Sequence, residues 1–172
     1  MKIASVTEKL GSFGKSSKEK QKTISIAEAD AIWGSLVDRY DAINLTNTLL
    51  TAVKDEDLKM VMRQGLEVLN VQVKVLEGLM KNYSIPMPPK PPEQAHVIID
   101  LNALTDRSIY RTIHNGMTKA LHMHTNHYSI SKDSAVREPF RKFLNAEMDL
   151  YDSYTEYGKQ KGYLHEEPTF RP

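Results

Sequence analysis

Cysteine is missing from all 172 residues, which excludes disulfide bonds, thiolate metal sites and cysteine nucleophiles together. An excess of charge of one sign is missing too, because 23 basic residues face 22 acidic ones and leave a formal net charge of +1. Sequence-independent binding to a polyanion needs a basic surface, so nucleic acid is not expected as a partner. A chain without cysteine also fits a reducing compartment.

Long hydrophobic runs are absent as well. No stretch approaches the roughly 18 apolar residues of a membrane-spanning helix, and the N-terminal segment lacks the apolar core of a signal peptide. The sequence therefore predicts synthesis in the cytoplasm, no secretion by a signal peptide and no membrane insertion. Its length is sufficient for one domain whose core needs no covalent cross-links.

Two helices are indicated in the first half of the chain. Ser25 and Glu28 match the capping box that begins a helix, and apolar residues then recur at helical spacing to about Ala52. Asp55, followed by two further acidic residues, is typical of the start of a second helix. Because only about three residues separate the two helices, we expect them to lie antiparallel as a hairpin.

The second half predicts another helical hairpin. Thr105 and Asp106 are capping residues for a third helix, and after a short turn a fourth begins at Asp133 or Ser134. Gly162 is a typical C-terminal stop signal. Pro139 is unfavourable beyond the first turn, so we expect either a kink there or a helix that begins at residue 138 or 139.

A proline-rich crossover, residues 84–104, joins the two hairpins. Its prolines favour extended backbone, and at about 3.1 Å per residue it is long enough to run the roughly 40 Å length of a helix, with the apolar residues of 96–101 packed along the bundle. The sequence therefore predicts an all-α four-helix bundle with ferritin-like topology over residues 24–164. An up-down-up-down bundle with a looped-out crossover is the alternative. Residues 1–23 and 165–172 are predicted to be tails, the first of them flexible.

Several polar side chains fall on the inward faces of the predicted helices. They form a predicted buried polar cluster: Tyr40, Asn44, Gln72, His124, His127 and Glu147. A di-iron bundle needs four carboxylates, which this set does not supply, so we interpret the cluster as a hydrogen-bonded network without metal or cofactor. The alternative is one Zn or Fe ion bound by His124, His127 and Glu147.

Other candidate groups give weaker indications. His114 and His122 lie off the apolar stripe and are predicted to face solvent, while Tyr154 fits a core position. No phosphate-binding glycine loop or nucleophile grouping is visible, so the sequence indicates no catalytic residues and no enzyme. A small-molecule carrier with a pocket among Trp33, Met117 and Tyr40 is a further alternative.

The last two helices carry a family resemblance. They contain a short turn, the pattern V-R-x-x-F from Val136 to Phe140, and the ending K-G-Y-L-x-x-x-P from Lys161 to Pro168. These features, within a likeness over about residues 25–168, resemble the spore-coat-protein-F-like group of endospore-forming bacteria and related ferritin-like proteins. The resemblance implies a helical bundle from a sporulating bacterium, associated with the spore coat or its assembly, and it implies no catalytic residues. We therefore expect a structural or assembly protein that forms a homodimer and contacts other spore coat proteins.

Overall fold

A computed structural model describes residues 16–91, 103–165 and 167–170. The central part of the crossover, including the apolar residues of 96–101, and most of the predicted N-terminal tail lie outside the described residues. The described residues contain five α-helices and no strand, which confirms the all-α class. The helices are α1 (Ser17–Gln21), α2 (Ile26–Leu50), α3 (Glu56–Asn82), α4 (Asp106–Ile130) and α5 (Ser134–Lys161).

The starts of the first long helices follow the predicted capping residues. At α2 the Ser25 hydroxyl accepts the backbone N–H of Glu28, and the Glu28 carboxylate accepts the backbone N–H of Ser25, so the capping box is complete. At α3 the Asp55 carboxylate accepts two backbone N–H groups of the first turn. Local sequence therefore fixes these two boundaries. The short α1 lies in the segment that we predicted to be a tail.

The second hairpin begins and ends as predicted, with one correction. Thr105 caps α4, Asp133 caps α5, and Gly162 ends α5 in the left-handed conformation with φ 65°. The predicted start at Asp133 or Ser134 is confirmed, whereas the later start at residue 138 or 139, one of the two outcomes expected for Pro139, is wrong, because α5 begins at Ser134 and contains Pro139. The Asp133 carboxylate accepts the Ala135 N–H and stabilises the turn that precedes the proline.

One carboxylate of each hairpin accepts hydrogen bonds from the turn of the other hairpin. At one end of the bundle, Asp106 of α4 accepts the backbone N–H groups of Lys54 and Asp55, at 2.8 and 3.1 Å. At the other end, Glu28 of α2 accepts the backbone N–H groups of Lys132 and Asp133, both at 2.7 Å. Consequently α2 lies antiparallel to α4, and α4 begins at the end where α3 begins.

The ends of the crossover therefore lie at opposite ends of the bundle. Tyr83, just after α3, donates a hydrogen bond to Asp133 at 2.7 Å, whereas Asp106 lies at the turn between α2 and α3. α2 packs on α3 and on α4, and α5 packs on α4 and on α3. None of the described helices combines the length and the apolar character that a membrane-spanning helix requires.

The buried apolar side chains form two clusters, one toward each end of the bundle. The first contains Ala31, Ile32, Leu36, Leu76, Leu79, Met80, Tyr83, Val136, Phe140 and Phe143. The second contains Leu49, Val53, Leu58, Met62, Ile109, Tyr110, Met117 and Tyr154. Stretches of 12, 13 and 10 residues separate the two clusters along α2, α3 and α5. Those stretches contain the buried polar side chains Arg39, Thr46, Gln72 and Glu147.

Candidate functional site

Four buried polar side chains, one from each long helix, make up the central polar cluster. They are Arg39 of α2, Gln72 of α3, His124 of α4 and Glu147 of α5, and each is at most 4 % exposed. Each lies on the inward face of its helix, on the same side as apolar neighbours one turn away. The cluster therefore places several ionisable groups in the interior, where desolvation controls their behaviour.

Arg39 brings a buried positive charge with few strong contacts. Its Nη1 donates to Oε1 of Gln72 at 3.1 Å, and its Nη2 lies 4.0 Å from the sulfur of Met123. Its Nε has no hydrogen-bond partner in the described part of the chain. Burial lowers the pKa of Arg39, while Glu147 and Asp38 act in the opposite direction. A guanidinium nevertheless stays protonated in proteins, so this charge is permanent.

Glu147 and His124 respond to burial in opposite directions. Burial raises the pKa of the Glu147 carboxyl, and the charge of Arg39 offsets part of that rise. Burial lowers the pKa of His124 to about 3, and the positive charges of Arg39 and His127 add to the effect. His124 is therefore neutral at pH 7. Neither of its ring nitrogens has a hydrogen-bond partner among the described residues.

The structure does not assemble the predicted metal triad. His127 is half-buried, and its Nδ1 lies 3.0 Å from the hydroxyl of Ser35 on α2 rather than beside Glu147. Within residues 16–91, 103–165 and 167–170, no group of three or more His, Asp or Glu side chains is arranged to hold a metal ion. The Zn or Fe alternative on His124, His127 and Glu147 thus gains no support from the geometry.

Two other predicted members lie away from the central polar cluster. The Tyr40 hydroxyl donates to Oε1 of Glu77 at 2.8 Å, and Lys90 lies over the Tyr40 ring while it also pairs with Glu77. Burial and the Glu77 carboxylate raise the pKa of Tyr40 to about 12. Asn44 is half-buried, and its backbone carbonyl accepts the hydroxyl of Thr48. Of the six predicted residues, Gln72, His124 and Glu147 lie in the cluster.

The main residue that sequence reasoning missed is Arg39. Charged side chains are rarely buried, so composition argued against an inward arginine. A spacing signal was nevertheless present, because Ile32, Leu36 and Arg39 follow the i, i+4, i+7 pattern of a single helix face. An arginine on the apolar stripe of a helix is therefore the sequence signal from which Arg39 could have been identified.

A central cavity of about 130 Å³ extends from the central polar cluster toward the second apolar cluster. Arg39 and Glu147 contribute to its wall together with Thr46, Tyr154 and mostly aliphatic side chains from all four long helices. The predicted pocket among Trp33, Met117 and Tyr40 is not this one, because only Met117 lines the cavity. Trp33 is 40 % exposed.

An aromatic cluster packs beyond the cavity, at the end of the bundle where α5 ends. Tyr110 stacks on Tyr154 with ring centroids 4.7 Å apart, and Tyr163 packs on the Tyr110 ring. His114 was predicted to face solvent, but it is half-buried beside Tyr110 and lies 3.1 Å from the hydroxyl of Thr155. Although His114 lies off the apolar stripe, this hydrogen bond and the ring contacts keep it partly buried. A helical projection shows neither kind of contact. His122 is exposed, as predicted.

The fold is shared with a protein of Bacillus halodurans C-125 whose crystal structure is known and which is described as a putative spore coat protein. It matches with a TM-score of 0.80 at 23% sequence identity, over 86% of this chain and 96% of that chain. At this identity the likeness establishes a shared helical fold.

Sequence comparison supplies the family. No curated protein sequence matches the chain. The family model described as "Protein of unknown function (DUF3231)" matches residues 12–172, which is nearly the whole chain. The chain therefore belongs to the DUF3231 family.

Proposed function

We propose that this protein is a structural or assembly component related to the spore coat and that it has no catalytic activity. The observation that carries the proposal is the fold shared with the Bacillus halodurans protein over most of both chains. The resemblance of the last two helices to the spore-coat-protein-F-like group supports the same role. Membership of that narrower group, a sporulating source and a ferritin-like topology are parts of this proposal.

The internal organisation suits a passive building block. Long helices begin at well-formed caps, and carboxylates at both ends of the bundle join the hairpins. Such features hold the four long helices in a fixed arrangement. The proposal places synthesis of the protein in the cytoplasm and its later deposition on the spore.

The proposed partners are a second copy of the chain and other spore coat proteins. Among the described side chains, Val71 and Val75 of α3 are 60 % and 37 % exposed, and their four-residue spacing makes them neighbours on one face. Apolar side chains on an outward helix face support contact with another protein. Light scattering should show a dimer across micromolar concentrations, and a monomer throughout that range would contradict self-association.

Localisation in sporulating cells tests the coat proposal directly. A fluorescent fusion of the full chain, produced in a sporulating Bacillus strain, should collect at the surface of the developing spore and appear in coat extracts. The matched control is the fluorescent protein alone, which should remain diffuse. A fusion that stays diffuse in the cell and is absent from extracted coats would refute the proposed role.

A further inference from the structure

The central cavity has the size of a small organic ligand and one polar end. Its volume of about 130 Å³ is close to that of apolar protein cavities that hold benzene, so it suits a chain of about six carbons. Between Arg39 and Thr46 the cavity follows seven residues of α2, which is about 10 Å of helix. Aliphatic side chains form most of the wall, and the ionisable groups Arg39 and Glu147 share it.

The polar end contains buried charge that protein contacts leave incompletely satisfied. Arg39 is 96 % buried, yet its Nε has no hydrogen-bond partner in the described residues and only one oxygen of the protein accepts from its guanidinium. Glu147 is equally buried and lies close enough to shift the pKa of Arg39, but no direct ion pair joins them in the described part of the chain. Because this permanent charge is buried without a direct ion pair to Glu147, the entry of an acidic group beside it is favoured.

The cavity also has a route to solvent. Leu45 of α2 is 48 % exposed, and Thr112 and Gly116 on the facing stretch of α4 are exposed as well. All three line the cavity, so its mouth lies between α2 and α4. A ligand that enters there places its apolar chain among the aliphatic side chains and reaches Arg39 with its leading group.

We propose that the central cavity binds a short aliphatic monocarboxylic acid, with the carboxyl group of the ligand between Arg39 and Glu147. The guanidinium donates to the ligand carboxyl through a free Nη hydrogen, while the two carboxyl groups share one proton. The charges then balance, because one guanidinium faces two carboxyl groups that carry a single negative charge between them. The raised pKa of Glu147 supports its role as the proton-holding partner.

Three six-carbon probes separate a carboxyl site from a merely apolar one. Calorimetry and thermal unfolding of the full chain should show saturable binding of hexanoate. Hexan-1-ol should bind about tenfold or more weakly, because it lacks the charge-assisted bonds to the guanidinium. Hexylammonium should give no binding, since Arg39 repels it. Equal binding of hexan-1-ol and hexanoate, or no hexanoate binding at millimolar concentration, would overturn the proposal.

Two variants locate the binding site. Arg39→Met should weaken hexanoate binding about tenfold, to the level of hexan-1-ol. Gly116→Leu should block the mouth, because a Cβ at Gly116 meets no heavy atom within 4 Å and the larger side chain has room at the opening. Its matched control is Gly78→Leu on α3, which is equally uncrowded, exposed and remote from the cavity wall.

The glycine pair keeps the test decisive even if Arg39→Met fails to fold. Hexanoate affinity that falls about tenfold in Gly116→Leu and stays unchanged in Gly78→Leu would support the site. Equal affinity in the two glycine variants would place hexanoate elsewhere on the protein and would reject the assignment.

Discussion

Gly158 of α5 lies directly against the phenol ring of Tyr110 of α4. A Cβ added at position 158 would overlap the phenol and come within 2.8 Å of its Cε1 atom. The same ring stacks on Tyr154, and its hydroxyl donates to the backbone carbonyl of Tyr154 at 3.2 Å. The close approach of α4 and α5 at this end of the bundle therefore depends on a residue without a side chain.

Gly158→Ala should destabilise the protein although alanine favours helices. Overpacking costs about 1–3 kcal/mol, which exceeds the roughly 1 kcal/mol that alanine gains in helix propensity. Gly78→Ala is the matched control, because nothing lies within 4 Å of its Cβ position, and it should raise stability slightly. Urea unfolding of both variants measures the difference. A Gly158→Ala variant as stable as Gly78→Ala would show that the ring yields without cost.

Glu28→Gln should weaken the junction between the two hairpins. Both Glu28 oxygens accept hydrogen bonds, one from Lys132 and Asp133 and the other from Ser25, whereas a Gln side chain offers one acceptor oxygen. Buried donors left without partners cost about 1–3 kcal/mol, so we expect a loss of that size in urea unfolding. Glu138→Gln, at a more exposed carboxylate of α5, should have a much smaller effect.

The pH dependence of this variant gives an independent check. Burial raises the pKa of Glu28, but hydrogen bonds from Asp133, Ser25 and Lys132 outweigh burial and leave the pKa below its ordinary 4.5. A carboxyl with a lowered folded-state pKa stabilises the protein above the unfolded value, and this contribution is lost as pH falls through the folded value. The wild-type protein should therefore lose stability below about pH 4.5 more steeply than Glu28→Gln. Parallel acid curves would contradict the assigned role.

His124 should make the protein sensitive to mild acid. Its pKa falls from 6.5 in the unfolded chain to about 3 in the folded protein, chiefly through burial. Between these values the unfolded state binds a proton that the folded state does not, so stability falls by up to about 1.4 kcal/mol per pH unit as pH decreases. His124→Leu, similar in volume, should remove this slope and should be no less stable at pH 7. An unchanged slope between pH 6 and 4 would refute the prediction.

Arg39 and Glu147 should show strong energetic coupling. Glu147→Gln leaves the permanent charge of Arg39 buried without its nearby carboxylate, and we expect a loss of about 3 kcal/mol. Arg39→Met should cost less, because an isolated Glu147 can take up a proton and become neutral. The double variant should recover much of the loss, so a double-mutant cycle in urea should deviate from additivity by about 1–3 kcal/mol. Additive effects would show that the two side chains do not interact.

Much of the architecture follows from local sequence because helix ends depend on nearby residues. Ser25, Asp55 and Thr105 cap backbone groups within three residues, so their roles can be predicted without a fold. Pro139 shows where a local rule fails. A proline in the second turn argues for a later start, yet a good cap at Asp133 holds the preceding turn in a helix.

The central polar cluster was predicted less well because burial depends on packing between helices. Helical projection placed Gln72, His124 and Glu147 inward because each follows the apolar stripe of its helix. The same projection put Tyr40 in the interior, but its hydroxyl pairs with Glu77 on the neighbouring helix. Arg39 was missed because a charged residue becomes an interior one only when three other helices surround it.

Glu28 and Asp106 connect the two halves of the chain reciprocally, since a carboxylate of each half accepts hydrogen bonds from the turn of the other half. None of these four backbone hydrogen bonds uses a residue of the crossover, residues 84–104. A protease cut within the crossover would leave every donor and acceptor of these four hydrogen bonds in place. The two halves should then remain together as a noncovalent pair. Complementary halves from two different molecules should pair through the same hydrogen bonds.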